Sequence, residues 1–74
     1  MNLQELRNEI DKVDREILNL FVERMGLCEK VAQYKIENSL PVFQGNREQD
    51  IINNIKKNVP KNLSNGAVAL FYNI

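Results

Sequence analysis

From Leu3 to Tyr34 the chain repeats an apolar residue in alternating steps of three and four: Leu3, Leu6, Ile10, Val13, Ile17, Leu20, then Arg24, then Leu27, Val31 and Tyr34. Nine of these ten positions are apolar or aromatic, so the spacing predicts one amphipathic helix from about Leu3 to about Asn38. Such a helix is about 54 Å long at 1.5 Å per residue. A compact chain of 74 residues has a radius of gyration of only about 11 Å. The second half of the chain cannot cover that seam, so the helix must pack against another chain, and a second copy is the expected partner. Gly26 costs about 1 kcal/mol inside a helix, but the pattern keeps its phase across it, which predicts continuity.

Arg24 stands where the seam calls for an apolar side chain. A guanidinium there must meet an anion or reach water, because burying an unpaired charge costs several kcal/mol. At about 100° per residue, Arg24, Cys28, Val31 and Lys35 fall within roughly 60° of one another, with about 16 Å of axis between the two cations. Two cations bracketing small apolar side chains leave space for a small ring with negative charge at the Arg end and an acceptor at the Lys end. The plainer alternative is a solvated face, with Arg24 paired to a neighbouring carboxylate.

Beyond the first helix, Asn38-Ser39-Leu40-Pro41 predicts a stop, since Pro41 lacks a donor and disfavours helical backbone at Leu40. Val42 to Gly45 reads as a short extended connection. Asn46 then resembles an N-cap, with Gln49 completing a capping box. Ile51, Ile52, Ile55 and Val59 give a second helix its apolar face, closed by Pro60. Ser64 is the expected cap of a third helix, whose stripe runs through Ala67, Val68, Leu70, Phe71 and Ile74. No stop signal follows Ile74, which reads as a third helix truncated in mid-pattern.

Ten basic residues balance ten acidic ones, interspersed, so nothing indicates nucleic-acid binding or a polybasic membrane patch. No apolar run approaches the roughly 18 residues of a membrane span, and no secretory leader precedes Leu3. The single cysteine excludes an internal disulfide, and the absence of histidine excludes Ser-His-Asp and Cys-His catalysis and histidine metal sites. A reducing cytoplasm is the default expectation. Cys28 reads as a packing residue, since a nucleophile without a base is a poor candidate.

Three further charged residues carry weight. Arg7 flanks the seam about 25 Å along the axis from Arg24, so no ligand touches both within one straight helix. In an antiparallel or crossed dimer, Arg7 of one chain can approach Arg24 of the other; otherwise it is a surface residue paired with Glu5, Glu9 or Asp11. Arg47 and Glu48 open the second helix. Glu48 complements the dipole there, whereas Arg47 opposes it, which suggests a carboxylate nearby.

Taken together, Leu6-Arg7-Asn8-Glu9-Ile10-Asp11, Val13-Asp14, Glu23-Arg24, Val31-Ala32-Gln33-Tyr34-Lys35, Leu40-Pro41-Val42 and Arg47-Glu48-Gln49 resemble the all-helical chorismate mutases. These occur as stand-alone enzymes and as N-terminal domains of bifunctional prephenate dehydratases or dehydrogenases. The resemblance covers residues 1–74 as one domain and implies an all-α, three-helix subunit in an intertwined homodimer. It implies that chorismate is rearranged to prephenate without a cofactor, and that a fused C-terminal domain is possible. By position, Arg24 would bind one carboxylate of chorismate and the other subunit's Arg7 the second. Lys35 would hydrogen-bond the ether oxygen, Glu48 the ring hydroxyl, Arg47 would organise the carboxylate network, and Val31 would form part of the apolar wall.

The chain departs from the family pattern twice. Gln44 occupies a substrate-contacting loop position that is usually Asp. The family's third helix continues past the position of Ile74 and there supplies a Gln or Glu facing the ether oxygen. Two other functions fit the same resemblance: a non-catalytic dimerisation or regulatory domain of a shikimate-pathway enzyme, and isochorismate pyruvate lyase.

Overall fold

The computed structural model describes residues 1–41 and 45–74. It contains three α-helices, α1 (Leu3–Glu37), α2 (Gly45–Asn58) and α3 (Ser64–Tyr72), with a 3-10 turn at Lys61–Leu63 before α3. No strand occurs among the described residues, so the all-α expectation is met. The chain divides into two compact units, residues 1–34 and 35–74.

Helix α1 is continuous through Gly26 for 35 residues. Its start is set by Asn2, whose Oδ1 accepts the Glu5 backbone N–H at 2.8 Å. The Leu6 N–H closes the first turn onto the Asn2 carbonyl at 3.1 Å. Asn2 is thus an N-cap, with Glu5 in the first turn complementing the dipole. No residue of α1 is buried. Its seam is open along its length, with Ile10 58%, Val13 50% and Ile17 49% exposed.

The end of α1 differs in cause from the sequence expectation. Pro41 is not the residue that turns the chain; Ser39 is, with φ at 54° in the left-handed region. The Leu40 N–H donates to the Lys35 carbonyl at 2.8 Å and the Ser39 N–H to the Ile36 carbonyl at 3.3 Å. This pair of bonds is a Schellman motif, with Ser39 in the place glycine usually takes. Pro41 then prevents the helix from resuming.

Two expected caps are corrected. Asn46 lies inside α2, which begins at Gly45; residues 42–44 before it lie outside the described residues. Gln49 does not reach back to complete a capping box; its Nε2 donates forward to Asn53 Oδ1 at 3.0 Å. Ser64 is already the first residue of α3, and its N-cap, Leu63, makes no side-chain cap bond. The 3-10 turn removes the need for one. Pro60, at φ −56° and ψ 145°, starts a turn in which the Ser64 N–H is taken by the Lys61 carbonyl. The Leu63 N–H is taken by Pro60 at 2.9 Å.

Within the second unit α2 packs against α3. Ile55 is buried at 8% exposure, and Ile51, Ile52, Val59, Ala67 and Val68 are half-buried. These are among the apolar positions the sequence assigns to the two helices, whereas Leu70 and Phe71 of the same stripe are exposed.

Candidate functional site

In the first unit the candidate residues lie along α1. Arg7 is exposed near its start, Arg24 is half-buried and Val31 is exposed. With Met25 and Gly26, Arg24 is one of the three α1 residues of this unit that are half-buried rather than exposed. A cation on the apolar seam is therefore partly withdrawn from water, where an anion gains more from it than at an open surface. The groove lined by Leu6, Glu9, Ile10 and Val13 belongs to the apolar seam, its near edge about 16 Å of helix axis from Arg24. It has the character of a packing surface.

In the second unit Lys35 is the half-buried residue of the last turn of α1. It places a basic side chain in the last turn, at the negative end of the helix dipole. Arg47 and Glu48 occupy the first turn of α2 and are exposed. Their adjacency at a helix start sets backbone N–H donors, a guanidinium and a carboxylate within one turn. Such a turn can accept an anion and a hydroxyl side by side. Gln44 lies outside the described residues.

Cys28 is a free, exposed cysteine. Among the described residues no group of three or more His, Cys, Asp or Glu could hold a metal ion, and no helix is long and apolar enough to cross a membrane. Sequence reasoning missed two residues that shape these elements. Asn2 had a signal, the Asn-x-x-Glu spacing of a capping box. Ser39 had none, because serine rarely takes the left-handed position.

Residues 6–74 match the family described as chorismate mutase type II. A bifunctional chorismate mutase/prephenate dehydratase of Aquifex aeolicus is 42% identical over 53 residues, which cover 72% of this chain and 15% of the relative. The T-protein of Haemophilus influenzae is 41% identical over 46 residues, 62% of this chain and 12% of the relative. A chorismate mutase of Methanocaldococcus jannaschii is 38% identical over 55 residues, 74% of this chain and 56% of the relative. The matched stretch thus spans from about one-eighth to just over half of these relatives' lengths. No solved structure matches the chain.

Proposed function

Because the chain belongs to the type II chorismate mutase family, we propose that it rearranges chorismate to prephenate as a homodimer, through a site built from both copies. The observation that carries this reading is a half-buried Arg24 on an otherwise apolar seam, with a half-buried Lys35 ending the same helix.

The steps of the seam read the same from either end. An antiparallel pair of α1 helices therefore matches every seam position with another: Leu3 with Tyr34, Leu6 with Val31, Ile10 with Leu27, Val13 with Arg24, and Ile17 with Leu20. A parallel, in-register pair would instead oppose Arg24 to Arg24 in an apolar interface, which like-charge repulsion and desolvation disfavour. In the antiparallel register the partner's Arg7, next to its Leu6, arrives level with Lys30 and beside Val31, between Arg24 and Lys35. This gives a physical reason for an Arg at position 7, and the two copies together supply the cations that a dianion needs.

The chemistry asks little else of the protein. A Claisen rearrangement breaks the C–O ether bond as the new C–C bond forms, and needs neither a nucleophile nor a proton transfer. Arg24 and the partner's Arg7 hold the two carboxylates by charge-assisted hydrogen bonds, which keeps the reacting carbons close. Lys35 donates to the ether oxygen as negative charge develops there, a contribution of about 3 kcal/mol for one well-placed donor. Glu48 holds the ring hydroxyl, Arg47 orders the carboxylate network, Gln44 contacts the ring side, and Val31 walls the site. The test is chorismate consumption by the chain and by Lys35→Ala, with products identified. Prephenate formation, with kcat about a hundredfold lower in the variant, is the expected result. Near-normal turnover by Lys35→Ala removes the donor role. Folded dimers of both that turn over nothing support a non-catalytic dimerisation module, and pyruvate release from isochorismate supports a lyase.

A further inference from the structure

The end of α1 sets an L-residue in a conformation that ordinarily belongs to glycine. Ser39, at φ 54°, has a Cβ that crowds the backbone in the left-handed region, where glycine meets no such crowding. The turn it makes is not generic in its target. The shorter of its two hydrogen bonds, from Leu40 N–H at 2.8 Å, ends on the carbonyl of Lys35 itself. Lys35 is among the last residues of α1, whose carbonyls have no partner within the helix. Without the turn it would stand on a fraying end. Pro41 cannot donate and holds Leu40 away from helical backbone, so the helix cannot resume past the Ser39 turn.

We propose that Ser39 is a positioning residue for the rearrangement, its left-handed turn fixing the backbone of Lys35 and so the root of the donor. The inference rests on the reading of Lys35 as the ether-oxygen donor. Lysine has a flexible four-carbon stem, and an electrostatic donor is effective only if its position is set before charge develops. Half-burial of Lys35 restrains the side chain, and the Ser39 turn restrains what it grows from. A misplacement of about 1 Å at such a donor can cost up to about a hundredfold in rate.

Replacement series at position 39 test this. Ser39→Gly and Ser39→Asn tolerate the left-handed region and are expected to keep kcat within about twofold. Ser39→Val, β-branched, resists it and is expected to lower kcat at least about tenfold with KM changed less than about threefold, since the donor acts in the transition state. Exchange of the Leu40 amide should quicken in Ser39→Val and not in Ser39→Gly. A turn that serves stability alone would lower the melting temperature and leave the kcat and KM split untouched. A folded Ser39→Val with a fast-exchanging Leu40 amide and unchanged kcat overturns the proposal. Should that variant not fold, Ser39→Ala takes its place: kcat must fall with the open fraction of the turn, and a kcat independent of it overturns the proposal equally. Lys35→Ala measured alongside separates the two claims. If it stays active, the donor reading fails. If it is inactive while Ser39→Val is fully active, only the positioning role fails.

Discussion

Helix α1 and the α2–α3 hairpin draw on the same kinds of apolar residue and end in opposite states. The hairpin satisfies itself: α2 packs on α3, Ile55 is buried, and four of its isoleucine, valine and alanine neighbours in α2 and α3, Ile51, Ile52, Ala67 and Val68, are half-buried. Helix α1 buries nothing, although its seam is longer and more regular. A helix with one apolar stripe is stable in water only when that stripe is covered. The hairpin therefore covers its own apolar face, whereas the stripe of α1 stays open, as the proposed pairing with a second copy requires. The difference also bears on the proposed site, because Arg24 is a half-buried cation on the uncovered helix, where its charge must meet an anion or reach water.

The largest effect that can break this comparison is a charge in the middle of the seam. Ile17→Asp sets an unpaired carboxylate into the interface at a cost of several kcal/mol, and both copies carry it. Sedimentation equilibrium is expected to show monomers with reduced helicity. A variant that still associates like the parent chain would mean that the seam is not the interface.

Ile55→Ala probes the other region. Loss of a buried isoleucine side chain costs about 2–4 kcal/mol, which amide exchange should register as faster opening across α2 and α3. Unchanged protection there would show that the hairpin does not depend on its own core.

Arg24→Leu sharpens the contrast by separating interface from site. Completing the apolar seam is expected to tighten association by about 1.5–3 kcal/mol while chorismate affinity falls at least about tenfold, the worth of a charge-assisted contact. Weaker association in this variant would place Arg24 in an interchain ion pair.

Gly26→Ala is the smallest test. Nothing lies within 4 Å of a Cβ built at Gly26, so the substitution should stabilise α1 by about 1 kcal/mol in a thermal melt. A loss of stability would indicate that another chain passes close to that glycine.

Much of the fold was legible because its signals are periodic. The seam from Leu3 to Tyr34 carries its own phase, so helix α1 and its continuity through Gly26 followed from spacing. The buried and half-buried positions of α2 and α3 followed in the same way, although Leu70 and Phe71 of the same stripe are exposed. The ends were less legible, because they depend on which of several polar residues takes a given backbone conformation. Asn46 and Ser64 look like caps in isolation. Each is drawn into its helix, in Ser64's case because a turn started by Pro60 already satisfies the first N–H groups. Ser39 could not be foreseen, since serine has no preference for the left-handed region that would mark it as the turning residue. At the candidate site, Arg24 announced itself as a misfit in an apolar pattern. Arg7, Arg47, Glu48 and Gln44 did not, because charged residues at helix starts have ordinary explanations and a lone glutamine carries no signal; these four are candidates only through their order along the chain.

The most direct test of the two-copy site mixes two inactive variants. Arg7→Ala and Lys35→Ala, each assayed alone, should be nearly inactive. If each site takes Arg7 from one copy and Lys35 from the other, half of the randomly re-paired dimers hold one intact site. The mixture should then regain about one quarter of parental turnover, as symmetry requires of an isologous dimer. A mixture no more active than its components, under conditions where the chains demonstrably exchange, would contradict the account.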